Sequence, residues 1–352
     1  MALRYATLPS FHPVFWGGFL AASVLLSSAM FAQPPINIHD PEIVKQDDVY
    51  YIFSTGWRGM VLQTLRSNDL RTWKRLEPVF SEVPAWVRAE IPRCRGFWAP
   101  GVHYINGRYC LYYSASSFGS QRSLIGLATN VTLDPADPNY RWTDEGKVIE
   151  SREGMAFNAI DAAIVTDRDG RVWMTFGSFW GGIMMVKLDP ETGKPFKDNP
   201  EVMPLARRAA APNAIEAPYI IFRQGYYYLF VSFDHCCRGV ESDYKIMVGR
   251  SKAVTGLYVD AEGKEMLKGG GTLVLEGDKR WKGPGHNSVL NDRGMFYLVH
   301  HAYDAENRGR PALHIRPLTW TDHGWPRAGA SLEGLTSVGG FEPSVPPREV
   351  QP

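Results

Sequence analysis

The chain has 352 residues and a formal net charge of +1, from 38 Lys and Arg against 37 Asp and Glu. That balance lacks the basic excess of a nucleic-acid-binding protein, and 44% hydrophobic with 21% charged residues excludes a disordered chain. Glycine at 34 and proline at 25 exceed their usual shares of roughly 7% and 5%, so many turns and few long helices are expected. The 11 Trp and 16 Tyr offer flat faces with polar edges that suit sugars, although most aromatic residues serve cores.

At the N-terminus, Arg4 precedes an uncharged run from Val14 to Ala32 that ends in small residues before Gln33-Pro34-Pro35. This reads as a signal peptide over residues 1–32, cleaved after Ala32. An uncut membrane anchor is the alternative. No later stretch is apolar for long enough to span a bilayer. The expected mature protein, residues 33–352, is therefore a single exported domain, secreted or periplasmic and without a membrane partner.

From there a pattern recurs at intervals of about sixty residues. Segments beginning at His39, Trp98, Ile160, Glu216 and His286 each hold a short apolar strand, a tight turn and a second strand rich in aromatic and β-branched residues. The turns are Asp47-Asp48, Asn106-Gly107, Asp169-Gly170, Gln224-Gly225 and Arg293-Gly294, and Asn-Gly and Asp-Gly are strong hairpin signals. Five such units predict an all-β fold, a five-bladed β-propeller with four strands per blade. The alternative is a β-sandwich with similar hairpins. The Gly-, Ser- and Pro-rich tail after Trp325 reads as part closing strand and part loose end. Tyr112, Tyr113, Trp173 and Tyr226 to Tyr228 fall within blade strands and read as core.

Four cysteines, Cys94, Cys110, Cys236 and Cys237, are too few for a disulfide scaffold and show no zinc-type spacing. The adjacent Cys236 and Cys237 either form a vicinal disulfide or stay as two thiols.

The first strand of each propeller blade lines the central channel. The opening pairs are His39-Asp40, Trp98-Ala99, Ile160-Asp161, Glu216-Ala217 and His286-Asn287. Asp40, Asp161 and Glu216 thus converge on one channel mouth, each among apolar neighbours. Two carboxyl groups across a glycosidic bond can hydrolyse it, one donating a proton and the other activating water or attacking the sugar. A third can raise the donor's pKa. A buried acid without a partner is costly, so such placement points to pairing or function. Asp47, Asp48, Asp167, Asp169 and Asp292 read as turn residues, and Asp189, Glu191, Asp260, Glu262 and Glu265 as exposed loop residues.

Nine short motifs run in order along the chain: HDP (His39 to Pro41), FWAP (Phe97 to Pro100), SFGSQ (Ser117 to Gln121), GLATN (Gly126 to Asn130), NAID (Asn158 to Asp161), GSFWGGI (Gly177 to Ile183), IEAPY (Ile215 to Tyr219), CCRG (Cys236 to Gly239) and GPGHNSV (Gly283 to Val289). With them the chain resembles glycoside hydrolase family 43, and within it the arabinanases. The resemblance implies a five-bladed propeller that cleaves arabinan or arabino-oligosaccharides with inversion. A monomer is expected. The resemblance makes Asp40 the general base, Glu216 the general acid and Asp161 the residue that tunes the acid. Inversion calls for base and acid carboxyls about 6.5–9.5 Å apart. The resemblance also places Trp98, Phe118, Asn158, Ser178 and Trp180 near the sugar. His39, beside the base, could bond a sugar hydroxyl. His286 matches a histidine that touches a central calcium through a largely water-filled shell. Ala162, where many relatives have Pro, and His235, where an aromatic is common, depart from the pattern. Rival expectations are exo action, an arabinofuranosidase or β-xylosidase of the same family, and a non-catalytic sugar-binding propeller that would lack one of the acids.

Overall fold

The computed structural model describes Ala2 and residues 35–342, apart from residues 57–58 and 198–199. The chain divides into two units, residues 1–33 and 34–352. The signal-peptide reading falls in the first, outside the described residues. Among the described residues no helix is long and apolar enough to cross a membrane.

The second unit is built from five sheets, in each of which the strands of the blade pair antiparallel. Blade 1 comprises β1 (Glu42–Gln46), β2 (Val49–Thr55), β3 (Leu62–Ser67) and β4 (Thr72–Leu76). Blade 2 comprises β5 (Trp98–Ile105), β6 (Arg108–Ala115), β7 (Ser123–Asn130) and β8 (Thr143–Ser151). Blade 3 has β9 (Ala163–Thr166), β10 (Val172–Phe176) and β11 (Ile183–Asp189), with β12 (Lys194–Pro195) and β13 (Met203–Ala206) both pairing with β11. Blade 4 is β14 (Ile215–Arg223), β15 (Tyr226–Phe233), β16 (Lys245–Ser251) and β17 (Thr272–Leu275). Blade 5 is β18 (Trp281–Asp292), β19 (Met295–Asp304), β20 (Arg310–Trp320) and β21 (Pro326–Ala328). The one α-helix of the described residues, α1 (Ala85–Glu90), links blades 1 and 2.

The innermost strands touch in a closed cycle: β1 meets β5, β5 meets β9, β9 meets β14, β14 meets β18, and β18 meets β1. This is the five-bladed propeller that the repeat predicts. Radial closure also explains the repeat's spacing, because each blade can bury its faces only against its neighbours. Each of the five seams has its own apolar core. Phe97 and Tyr113 stack between blades 1 and 2, for instance, and Phe230 and Leu298 pack between blades 4 and 5. Of the aromatic residues read as core, Tyr226 alone is only half-buried.

The chain ends close the ring. The Leu313 N–H donates to the Ile36 carbonyl, joining the N-terminal segment to blade 5, and β22 (Thr336–Glu342) pairs in parallel with β4 of blade 1. Three hairpins turn as the dipeptides require. Asn106-Gly107, Gln224-Gly225 and Arg293-Gly294 all have positive φ at both positions, the geometry that matches strand twist. Asp260, read as an exposed loop residue, is instead buried. Its carboxylate accepts the backbone N–H groups of Glu262, Lys264 and Gly271 and organises the loop before β17. Asp292 is likewise buried at its turn, accepting from Lys45 Nζ at 2.7 Å and Tyr50 OH at 2.6 Å.

Candidate active site

Where the first strand of each blade begins, one residue has a left-handed backbone: Asp40 (φ 53°), Ala99 (41°), Asp161 (62°), Ala217 (55°) and His286 (50°). For residues other than glycine this costs about 1–2 kcal/mol each. In blades 2, 4 and 5 the pairing register slips here, between Trp98 and Gly101, Glu216 and Tyr219, and Gly285 and Ser288. Such bulges re-aim side chains and gather near functional sites.

The N–H of each left-handed residue is tied to the neighbouring blade. Ala99 donates to Thr55 Oγ1 at 2.9 Å, Asp161 to Ser114 Oγ at 3.0 Å, His286 to Ser232 Oγ at 2.8 Å, and Asp40 to His301 Nδ1 at 3.1 Å. Thr55, Ser114, Ser232 and His301 all stand opposite the residue that precedes the left-handed one in their own blade. In blade 3 that place is Gly177, at φ 121°, where a Cβ would lie 2.3 Å from the Gly182 carbonyl oxygen. No side chain fits there, and Asp161 Oδ2 itself accepts the Ala217 N–H at 3.3 Å. The repeat is thus broken at one blade, and the break brings the Asp161 carboxylate beside Glu216.

One of the five opening pairs shifts by one residue. The blade 5 pair is Gly285-His286 and not His286-Asn287, so His286 occupies the same slot as Asp40 and Asp161. Glu216 keeps its expected place one residue before the left-handed Ala217, in the slot of His39, Trp98 and Ile160.

Asp40 is buried and densely partnered. Oδ2 receives Thr55 Oγ1 at 2.5 Å and lies 2.7 Å from His39 Nδ1; Oδ1 lies 3.1 Å from His286 Nδ1. Burial pushes its pKa up, but His39 and His286 outweigh it and hold the carboxyl well below the usual range. Asp161 is equally buried without such partners. Burial pushes its pKa up to about 8, with His286 opposing and the negative charges of Glu216 and Asp40 adding. Glu216 is 9% exposed and accepts a hydroxyl at each oxygen, Ser178 Oγ to Oε2 at 2.6 Å and Tyr244 OH to Oε1 at 2.7 Å. Tyr244 reaches it because Gly285 has no side chain; a Cβ there would lie 1.9 Å from the ring. The His286 pKa is lowered by burial but raised more by Asp40 and Asp161, and reaches about 9.

Asp40, Asp161, Glu216 and His286 therefore come together, and Ser178 joins them through Glu216. His39 stands beside Asp40, but both its nitrogens are engaged within the protein: Nδ1 with Asp40 and Nε2 with Tyr303 OH at 2.8 Å. Its ring stacks on His301 at 4.0 Å. Asn158 is buried, its Oδ1 accepting Ser123 Oγ at 2.7 Å and Ser151 Oγ at 3.3 Å, which makes it a brace in blade 2. The aromatic residues lie on the rim. Trp98 is half-buried at the start of β5, Phe118 is 85% exposed in the β6–β7 loop and Trp180 is 40% exposed in the β10–β11 loop. All three loops or ends are at the same face of the blades as Asp40, by the strand pairing. Sequence reasoning missed Thr55, Tyr244, His301 and Tyr303. A hydroxyl at the end of the second strand was a readable signal for Thr55, and a histidine near that end for His301; Tyr244 and Tyr303 carried none.

Metal-ligating atoms cluster at two places among the described residues, His39 with Cys236 and Cys237, and His39 with Asp40 and His301. His286 belongs to neither group.

The profile of glycosyl hydrolases family 43 matches residues 34–326. The chain belongs to that family. Within family 43 it is 42% identical over 322 residues to an extracellular endo-α-(1→5)-L-arabinanase of Bacillus subtilis, covering 89% of this chain and 96% of the relative. It is 40% identical over 335 residues to an extracellular exo-α-(1→5)-L-arabinofuranosidase of Cellvibrio japonicus, covering 91% and 96%. A solved family 43 structure, the Cellvibrio cellulosa α-L-arabinanase with arabinohexaose, superposes with a TM-score of 0.79 at 40% identity, covering 84% of this chain and 96% of that one.

Proposed function

We propose that this protein hydrolyses the α-1,5-L-arabinofuranosidic bonds of arabinan, cutting within the chain, with inversion at the anomeric carbon. The observation that carries the reading is the pair of buried aspartates with opposite proton affinities beside Glu216, at a mouth rimmed by exposed aromatic residues. Asp40, held ionised, takes a proton from water as its oxygen attacks the anomeric carbon. Glu216 gives a proton to the departing oxygen as the glycosidic bond breaks. Asp161 and Glu216 together keep one proton at neutral pH, because a second negative charge beside the first is disfavoured in this buried site, and Glu216 is placed to pass that proton on. Ser178 and Tyr244 each donate to the Glu216 carboxylate that results. Tyr244 stays a donor, since burial and the charge of Glu216 push its pKa well above the usual value. The Ser178 hydroxyl can turn to accept when Glu216 is protonated.

Calcium fits this site only in a water-rich form. The Nδ1 of His286 is taken by Asp40, and with a pKa of about 9 the ring keeps a proton on Nε2 as well, so it would meet the ion only through water; calcium prefers six to eight oxygens. Bound there, the ion would supply positive charge near the acids. The relatives named extracellular support action outside the cytoplasm. The ring closes on its own chain ends, which suits a monomer.

The test is incubation with linear arabinan, debranched arabinan, and aryl arabinofuranoside or xyloside, with product lengths followed over time. A ladder of oligomers from linear arabinan is expected. A single short product reassigns the enzyme to exo action, which the Cellvibrio relative's name favours. Turnover of the xyloside alone reassigns the substrate, and no turnover by folded protein overturns the proposal. Proton NMR of the first anomer formed checks inversion.

A further inference from the structure

Cys236 and Cys237 are joined in a vicinal disulfide, in the loop that follows β15. Cys237 is exposed and has a left-handed backbone, φ 66°. The ring that links adjacent cysteines restrains the peptide between them and so aims the Cys237 N–H. That N–H donates to Tyr303 OH at 2.7 Å. The Tyr303 oxygen is therefore an acceptor on that side, the Ser242 side chain bonds to it as well, and its own proton can turn to His39 Nε2, at 2.8 Å. With Nε2 accepting, the ring proton of His39 sits on Nδ1, facing Asp40 Oδ2 at 2.7 Å. Cys237 Sγ also touches His39 Nε2 at 3.8 Å. A continuous path of donors thus runs from the disulfide to the carboxylate.

We propose that the Cys236–Cys237 disulfide and Tyr303 are positioning residues for the base: they hold His39 in the tautomer that donates to Asp40, and reduction of the disulfide releases that hold. The inference rests on Asp40 being the base. In the reduction a dithiol supplies two electrons and two protons. The S–S bond breaks, two S–H bonds form, and the dithiol closes to its own disulfide.

The experiment treats the folded enzyme with dithiothreitol and confirms by mass that Cys236 and Cys237 have become alkylatable. Cys94 and Cys110 are buried free thiols and provide the internal control. On linear arabinan, kcat is expected to fall about tenfold, the scale of a small misplacement of a reacting group, with KM within about twofold. Reoxidation restores the rate. Nitrogen-15 spectra of histidine-labelled protein show His39 leaving the Nδ1–H tautomer on reduction, a change that a purely structural link would not make. Tyr303→Phe, which keeps the disulfide, lowers kcat similarly and makes it insensitive to dithiothreitol, because both act through one path. This variant carries the test if the reduced protein unfolds. Unchanged kcat and an unchanged His39 spectrum, in reduced enzyme or in Tyr303→Phe, overturn the proposal. Asp40→Asn separates the two readings. Full activity in that variant overturns the base assignment itself; an inactive Asp40→Asn beside a wild-type reduced enzyme overturns only the role of the disulfide.

Discussion

Asp40 and Asp161 occupy one backbone slot in two blades. Both have left-handed φ, both are buried, and each donates its N–H to the preceding blade. Their proton affinities nevertheless diverge, well below the usual range for Asp40 and up to about 8 for Asp161. Burial acts alike on both, so the partners decide. Blade 5 supplies His286 and His301 around Asp40, and Thr55 and His39 of blade 1 complete its shell. Around Asp161, blade 2 offers only Ser114 to the backbone, and Gly177 withholds a side chain. A repeated fold thus makes a base and an acid pair by varying the residues that neighbour a constant position.

The largest effect tests the acid side. Glu216→Gln keeps the shape and can still accept from Ser178 but has no proton to give. Its kcat on linear arabinan is expected to fall about 10²–10⁴-fold, the usual contribution of general acid–base catalysis. Calorimetry should find the affinity for arabino-oligosaccharide changed by less than about threefold. A wild-type rate in this variant would remove Glu216 from its role.

Asp161→Asn erases the contrast between the two aspartates. The raised pKa of about 8 means that the wild-type pair keeps its proton below that pH and loses it above. The rate should therefore decline as pH rises through about 8. In Asp161→Asn this alkaline limb should move, with kcat lowered by roughly tenfold or more. An alkaline limb that stays in place would detach Asp161 from the acid.

Thr55→Val acts on the base side and more gently. Thr55 donates to Asp40 and accepts from Ala99 N–H, so valine strands a buried N–H at the seam of blades 1 and 2. A loss of about 1–3 kcal/mol is expected in urea unfolding, together with a reduced kcat. A stability within about 0.5 kcal/mol of wild type would mean that the inter-blade tie contributes little.

The contrast also sets how much of the molecule was legible in the sequence. The five hairpins announced themselves through Asn106-Gly107 and its counterparts, because a tight turn demands particular residues wherever it occurs. Asp40, Asp161 and Glu216 stood out as acids among apolar neighbours. The exact slot did not. Bulges let two residues oppose one, so Gly285 rather than Asn287 completes the blade 5 pair. Nor could sequence show that His39 and Asn158 spend their polar atoms inside the protein, or that Tyr244 and Tyr303 arrive from loops and strand ends outside the repeat. These depend on which side chains meet across seams, where no spacing rule applies.

The two sides of the site differ finally in what acid does to them. Every buried histidine of the described residues, His300, His301 and His314, belongs to blade 5. Burial depresses all three: His300 and His301 lie well below the usual value and His314 near 3. His300 is fixed as a neutral ring, with Nδ1 bonded to the His301 carbonyl at 2.8 Å and Nε2 accepting Arg316 Nε at 3.1 Å. In the unfolded chain a histidine protonates near pH 6.5. Below that pH the unfolded state binds protons that the folded state refuses, so stability falls as pH falls, by about 1.4 kcal/mol per pH unit for each such histidine. The loss begins below about 6.5 and, for His314, continues until its folded pKa near 3. Amides of β19 and β20 should therefore lose hydrogen-exchange protection first as pH drops from 7 to 4, while β10 and β11 of blade 3 keep theirs longer; they hold no histidine, and His103 of blade 2, its pKa lowered by burial to about 4, bonds to Thr166 of β9 instead. His314→Phe, which cannot protonate, should flatten the decline by about one proton's slope. Equal loss of protection in blades 3 and 5 would show that the blade 5 histidines do not set the acid limit and that the whole ring opens together.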